Sequence, residues 1–181
     1  MSLPTRSAAT WIETDRLLLR AYEPAHFGPF FELMADPETF RFSERGAMTS
    51  DEAWGRLLRH IGQWSVTGYG LFAVEEKASG RFVGEAGLAD FRRQLGARFD
   101  AAPEASWTIA PAAQGRGYAT EAAGAALKWM EDRFGSMRAV CLVHLQNGPS
   151  LRVAEKLGFR PIVECRYKGY PARLHQRVAG E

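Results

Sequence analysis

The sequence predicts an α/β domain. Three observations carry that expectation. Strand-like and helix-like segments alternate along the chain instead of separating into blocks. The 181 residues are 46% apolar and 24% charged, the mix of a globular chain able to bury a core without disulfides or a structural metal. A long, strongly periodic helix from Ala119 onward follows a short strand through a turn containing two glycines. Such a composition excludes a disordered, collagen-like or coiled-coil chain. The length suits one domain, expected over residues 11–181, with residues 1–10 as a flexible tail.

The elements follow in order. Residues 16–22 (RLLLRAY) read as a first strand. Residues 24–35 read as a helix, because Phe27, Phe30, Phe31 and Met34 repeat at i, i+3, i+4 and i+7. Asp36-Pro37 ends it, since the residue before proline is driven out of the helical region. Thr49 and Glu52 form a capping-box pattern, opening a helix with Trp54, Leu57, Leu58, Ile61 and Trp64 as its apolar face. Residues 71–76 and 81–88 are two strands of a hairpin joined through Lys77 to Gly80. Residues 89–103 form a polar loop with no period. Residues 104–109 (EASWTI) are a short strand. The following helix repeats Ala119, Ala122, Ala123, Ala126, Leu127, Met130 and Phe134 on one face, and its small residues let it lie close to a sheet. The unbroken apolar run at 139–145 suits a strand covered on both faces. Residues 162–167 and 173–178 are closing strands around Lys168 to Pro171.

The net charge is only +2, from 23 basic and 21 acidic residues, without the dense basic run of a nucleic-acid binder. No apolar stretch approaches the roughly 20 residues of a membrane helix, and the N-terminal segment lacks the apolar run of a secretory signal. Two cysteines, Cys141 and Cys165, make no disulfide framework and read as buried thiols of a reducing, cytoplasmic compartment. No His/Cys/Asp cluster has metal-ligand spacing, so no metal is expected. No Gly-x-Ser-x-Gly elbow is present, which disfavours a serine hydrolase.

The chemistry concentrates in residues 111–119 (PAAQGRGYA). A strand enters and a helix leaves. Gly115 and Gly117 strip side chains from the turn, so exposed N–H groups and the helix dipole can receive a phosphate or pyrophosphate. Arg116 adds a charged donor. The dinucleotide pattern G-x-G-x-x-G fails at Thr120, and no Gly-Lys-Ser/Thr of a P-loop follows. A turn that merely needs glycine is the competing reading.

Gln114-Gly-Arg-Gly117-Tyr-Ala119 resembles the Q/R-x-x-G-x-G/A signature of the GNAT superfamily of N-acetyltransferases. Thr14 to Arg20, Gly68 to Val74, Phe82 to Gly84, and Asn147 through Phe159 resemble, in order, segments of its ribosomal-protein-alanine acetyltransferase branch. The resemblance spans nearly the whole chain. It implies a mixed, mostly antiparallel sheet of about six or seven strands with helices on both faces. Acetyl-CoA would enter where two central strands splay apart, after Ile109 and after Leu145. Backbone groups of Trp107 and Ile109 would pair with the pantetheine arm as with an added strand. The amides of Gln114, Gly115, Arg116, Gly117, Tyr118 and Ala119 would take the pyrophosphate, and Asn147 would contact the pantetheine near the thioester.

Many members of the superfamily carry a tyrosine acid four residues before the final Gly-Phe of this helix; that position here is Ala154. Ser150 occupies the place where the branch has a serine that can protonate the leaving sulfur. Glu104 matches a carboxylate that acts as base, often through water, with Glu85 a weaker candidate and His144 not assigned a role. The resemblance implies direct attack by a primary amine, of a protein N-terminus or a small molecule, in a ternary complex. Asp36, Glu38 and Glu44 could draw a cationic acceptor, or could simply be a solvated edge. A non-catalytic acyl-CoA-binding sensor and a binder of another nucleotide are the rival readings. A homodimer is compatible with the branch, and nothing in the chain fixes it.

Overall fold

Alternation in the central strands decides the layering. In β3 (Leu71–Glu76), Phe72 and Val74 point into one core, while Leu71 and Ala73 point into another on the opposite face. The computed structural model describes residues 10–43 and 46–178. Over these residues the chain runs β1 (Trp11–Glu13), β2 (Leu17–Ala21), α1 (Phe27–Ala35), α2 (Ser50–Thr67), β3, β4 (Arg81–Ala89), α3 (Ala97–Asp100), β5 (Glu104–Ile109), α4 (Tyr118–Phe134), β6 (Arg138–His144), α5 (Gly148–Lys156), β7 (Arg160–Tyr167) and β8 (Tyr170–Val178). The strands make one eight-stranded sheet in the order β1-β2-β3-β4-β5-β6-β8-β7. Neighbours are antiparallel except β5 and β6, which are parallel and share the single register pair Glu104↔Val140.

The first core joins Leu17, Leu19, Phe72, Val74, Ala86 and Leu88 to the alanine-rich face of α4. The second joins Leu71, Ala73 and Ala89 to α1 and α2. Helices therefore cover both faces of a mostly antiparallel sheet, as the resemblance implies. The expected strands and helices are present, with differences that have local causes. The first residues of the domain form β1, an edge strand too short to read from alternation. Residues 89–103 hold the single helical turn α3, which seats Phe99 against Val140 and Leu174. The last hairpin turns on Lys168 and Gly169 alone, both at positive φ, with Tyr167 opposite Tyr170. The Thr49 amide donates to the Glu52 carboxylate at 2.9 Å, so the capping box at α2 is real.

The buried face of α2 differs from the one predicted. Leu57 is buried and Ile61 and Trp64 pack against the cores as expected, but Trp54 and Leu58 are 39% and 46% exposed, and Ala53 and His60 are buried instead. The helix turns this way because His60 is drawn inward by polar partners. Its ring stacks on Tyr22 at 5.3 Å, and Arg56 Nε donates to its Nε2 at 3.3 Å. Arg56 Nη2 donates to Glu85 Oε1 at 2.6 Å, and the Tyr22 hydroxyl donates to Glu85 Oε2 at 3.2 Å. Burial, aided by Arg56 and Arg59 and opposed by Glu85, lowers His60 to about 4.

The sign of the resulting pH dependence follows from that value. The unfolded chain takes up the proton as pH falls through 6.5, and the folded chain only near 4. Stability is therefore lost on acidification across that window, by about 3 kcal/mol from this group. Urea midpoints at pH 7 and 4.5 are expected to differ less in His60→Gln than in the parent. An equal difference in both proteins would show that His60 is not responsible.

Candidate active site

Four residues, 110–113, separate the end of β5 from Gln114 at the start of the turn, and the sequence there allows a sharp reversal. Pro111–Ala113 forms one 3₁₀ turn, and Gly117 is the N-cap of α4. Gly115 and Gly117 have φ of 78° and 82°, a region that costs an L-residue about 1–2 kcal/mol. A Cβ on Gly115 would meet nothing within 4 Å, so the turn opens onto free space.

The turn is braced from behind. Gln114 Nε2 donates to the Ile109 carbonyl at 2.9 Å, and Arg16 Nη1 donates to the Arg116 carbonyl at 2.9 Å. Arg116 and the Tyr118 hydroxyl both donate to Glu76 Oε1, at 2.8 and 2.5 Å. Hydrogen bonds from Ser79 and Tyr118 hold the Glu76 carboxyl below its usual range.

Most amides of the turn stay open. The Gln114 amide donates to Pro111 O, and the Glu121 amide to Gly117 O. Between them, no acceptor among the described residues takes the amides of residues 115–120. Two expectations change in detail. Gln114 spends its amide and its side chain on the protein and acts as a brace. The Arg116 guanidinium rests on Glu76, so in this structure Arg116 offers the turn its amide and not its side chain.

Beside the turn, the sheet is interrupted. Val140 N–H donates to Pro103 O at 3.1 Å, and pairing between β5 and β6 goes no further than Glu104↔Val140. Ala110 N–H donates to Val83 O. Alternation then turns the backbone groups of Thr108 toward β4 and those of Trp107 and Ile109 toward the gap. The Ile109 carbonyl is already held by Gln114, which leaves the Ile109 N–H and both Trp107 groups facing it.

Two cavities occupy this gap and its mouth. One, of about 620 Å³, runs along Trp107–Ile109, the turn and the start of α4, and α5. The other, of about 180 Å³, is lined by Arg93, Glu104, Cys141, His144 and Tyr170 among others. Both are lined by Phe42, Trp107, Asn147 and Ser150. At this junction Asn147 Oδ1 accepts the Ser150 amide at 3.1 Å, capping α5. Trp107 Nε1 donates to Ser150 Oγ at 3.3 Å. An indole N–H can only donate, so the hydroxyl keeps its own proton to give.

Glu104 is 4% exposed and gripped by a residue that the sequence reading did not single out. Arg93 donates from Nε to Oε2 at 2.6 Å and from Nη2 to Oε1 at 2.8 Å. Its Nη1 donates to the Tyr167 hydroxyl at 3.0 Å. Burial raises the Glu104 carboxyl above its usual range, and Arg93 offsets this only in part; the bidentate contact favours the charged pair. A carboxylate has about four acceptor positions, so this one can still accept a water.

The other candidates separate clearly. Glu85 is fully buried, and it lines neither cavity. Burial acts to raise its carboxyl, but Arg56, His60 and Tyr22 together hold it below the usual range. In this structure Glu85 serves the contact between α2 and β4 through Arg56 and Tyr22. His144 accepts the Gln146 amide at Nδ1 and stacks on Tyr170 at 5.4 Å. Burial pushes both thiols up, Cys141 strongly; Cys141 is buried as expected, whereas Cys165 is only partly buried. Asp36 caps the 3₁₀ turn Pro37–Phe40 by accepting the Glu38 amide, and Glu38 lies 3.8 Å from Arg41. Glu44 lies outside the described residues, as do residues 1–9 of the expected tail. Among the described residues no helix is long and apolar enough to cross a membrane, and no His/Cys/Asp/Glu group is arranged to hold a metal.

Comparison with known proteins agrees with this geometry. Residues 16–160 match the family model described as an acetyltransferase (GNAT) domain. The chain is similar to YkkB of Bacillus subtilis (strain 168), 31% identical over 176 residues that span 94% of this chain and 97% of that protein. It is also similar to the solved structure of a GNAT-family acetyltransferase from Bordetella pertussis, at 38% identity and a TM-score of 0.84, over 93% of this chain and 99% of the other. A structure of RimL, a ribosomal-protein α-N-acetyltransferase in complex with coenzyme A, shares the fold at 15% identity and a TM-score of 0.75, over 93% and 98% of the two chains.

Proposed function

The chain belongs to the GNAT acetyltransferase family and is an N-acetyltransferase; on that premise we propose that it moves the acetyl group of acetyl-CoA to a primary amine, on a protein N-terminus or a small molecule, by direct attack in a ternary complex. The observation that carries this reading is the junction of the two cavities at Trp107, Asn147 and Ser150, beside a turn whose amides are open. The coenzyme arm lies in the larger cavity along β5, the turn and α5, which leaves the smaller cavity and the α1–α2 end of the larger one to the acceptor, and the reacting atoms meet where the cavities join.

The chain's groups suit each task. Open amides at residues 115–119 and the N-terminus of α4 receive the diphosphate. Backbone groups of Trp107 and the Ile109 N–H pair with the amides of the arm. Asn147, whose Oδ1 caps α5, has its amide donors left for the arm near the thioester. Ser150, with its oxygen fixed by the indole of Trp107, donates its proton to the departing sulfur. The N-terminus of α5 lends further positive potential to that sulfur. Glu104, working through a water, accepts the proton that the amine must lose.

Ser150→Ala is expected to lower kcat about 10²-fold, the usual contribution of one positioned acid, while leaving coenzyme A affinity near that of the parent. Free-thiol release from acetyl-CoA with a panel of peptides and small amines, alongside calorimetric titration of coenzyme A, measures both. An unchanged kcat in Ser150→Ala would remove the serine from the mechanism.

A further inference from the structure

The larger cavity has an end that the coenzyme reading leaves unused. Met34, residues 38–43 and Arg56 line it from the α1–α2 side, across from β5, the turn and α5. Arg56 is the notable member. Its side chain is 19% exposed, and it is held from behind by two groups that are almost wholly buried. Nη2 donates to Glu85 Oε1 and Nε to His60 Nε2. The Tyr22 hydroxyl fixes the other oxygen of Glu85, and the Tyr22 ring stacks on His60.

A guanidinium has five N–H groups in a rigid plane. Two are spent here, and the other three have no acceptor among the described residues. A lock between α2 and β4 would need only the two that are used. A second polar group at the same end is also unsatisfied: Thr39 lines the cavity, and its Oγ1 is buried without a partner. A buried donor left unpaired is unfavourable, and a ligand that accepts from it relieves that cost.

The charges narrow the ligand. The charged residues lining this cavity are Glu38, Arg41, Arg56, Arg152 and Lys156, and the one carboxylate lies 3.8 Å from Arg41. That lining does not suit a polycation. The charge of Arg56 is partly offset by Glu85, so a singly charged, planar acceptor matches it better than a dianionic phosphate. We propose that the acetylated amine carries a carboxylate, and that the preoriented fork of Arg56, with the Thr39 hydroxyl, is where this carboxylate binds. The proposal deepens the acetyl-transfer reading and rests on it.

Two kinds of molecule present an amine beside a carboxylate: a free amino acid, and a peptide with an acidic first residue. Matched pairs separate them. One pair is an amino acid against its carboxamide; the other is a short peptide starting with aspartate against the same peptide starting with asparagine. The carboxylate member of one pair is expected to be preferred by at least about tenfold in kcat/KM, about 1.4 kcal/mol, mostly through KM. Arg56→Lys keeps a charge against Glu85 but loses the fork, and it is expected to reduce that preference to about twofold. Arg56→Gln combined with Glu85→Gln leaves no unpaired buried charge and should do the same. A contact that serves only the core would change stability without changing the preference. No preference in the parent protein, or a preference that survives both variants, overturns the proposal. If uncharged amines are acetylated and neither carboxylate is preferred, the proposal fails and the acetyl-transfer reading stands. If no amine of any kind is acetylated while coenzyme A binds, both fail.

Discussion

Arg93→Met is expected to destabilise the protein by about 3–5 kcal/mol, because it strands a carboxylate in the interior. Glu104 is 4% exposed, and both of its oxygens accept from Arg93. The same guanidinium also packs over Phe91 and Tyr167, 4.7 and 5.0 Å from the ring centroids. Methionine replaces the stem and none of the donors. For a chain of this length the melting temperature should fall by about 10 °C.

Two controls test the cause. Without Arg93 nothing offsets the burial that already pushes the Glu104 carboxyl up. The folded variant then holds a proton that the unfolded chain releases, so its stability is present at low pH and lost as pH rises through the shifted value. The deficit against the parent should therefore be larger at pH 8 than at pH 5, by urea denaturation. Adding Glu104→Met should recover most of the loss, since a buried ion pair replaced by apolar groups is often neutral. A deficit that is independent of pH, or a double variant as weak as the single one, would assign the loss to packing. The double variant also separates the roles of Glu104: it should fold and yet acetylate slowly if the carboxylate is the base.

What the sequence could reveal depended on the range of the cause. The α4 helix was legible because its alanines repeat on one face, and the α2 start because Thr49 and Glu52 are three residues apart. The turn at Gly115 and Gly117 was legible because a left-handed backbone leaves glycine as its trace. The buried face of α2 was not, because burial of His60 depends on Glu85 and Tyr22, which arrive from two other strands or their ends. Arg93 stands beside Arg92 in a polar segment without a period; only the path of an irregular loop brings it back onto Glu104. The gap between β5 and β6 had no sequence signal either. Both are ordinary strands, and the gap is a fact about where their pairing stops. Motifs written in neighbouring residues thus pointed to the coenzyme end of the site, while the acceptor end is assembled from long-range contacts that no local pattern encodes.

The open amides give the second large effect. Gly117→Val is expected to weaken coenzyme A binding about 10²-fold, equivalent to losing two charge-assisted hydrogen bonds of about 1.5 kcal/mol each. Gly117 caps α4 at φ 82°, and a Cβ there would stand 3.5 Å from Arg16 Nη2, so space is not the obstacle. The backbone is. A β-branched residue does not hold that φ, and relaxing it swings the amides that begin the helix away from their common focus. Fold stability should fall by only about 1–2 kcal/mol, because the turn is exposed. Acetyl-pantetheine, which lacks the diphosphate and the nucleotide, discriminates the cause. Its affinity should be weak and should be the same in the parent and in Gly117→Val, whereas coenzyme A distinguishes the two proteins. Gly115→Ala, at a position with nothing within 4 Å, should repeat the pattern with a smaller effect. If the variant weakened both probes equally, the damage would lie in the gap between β5 and β6, and the amides of the turn would not be what binds the diphosphate.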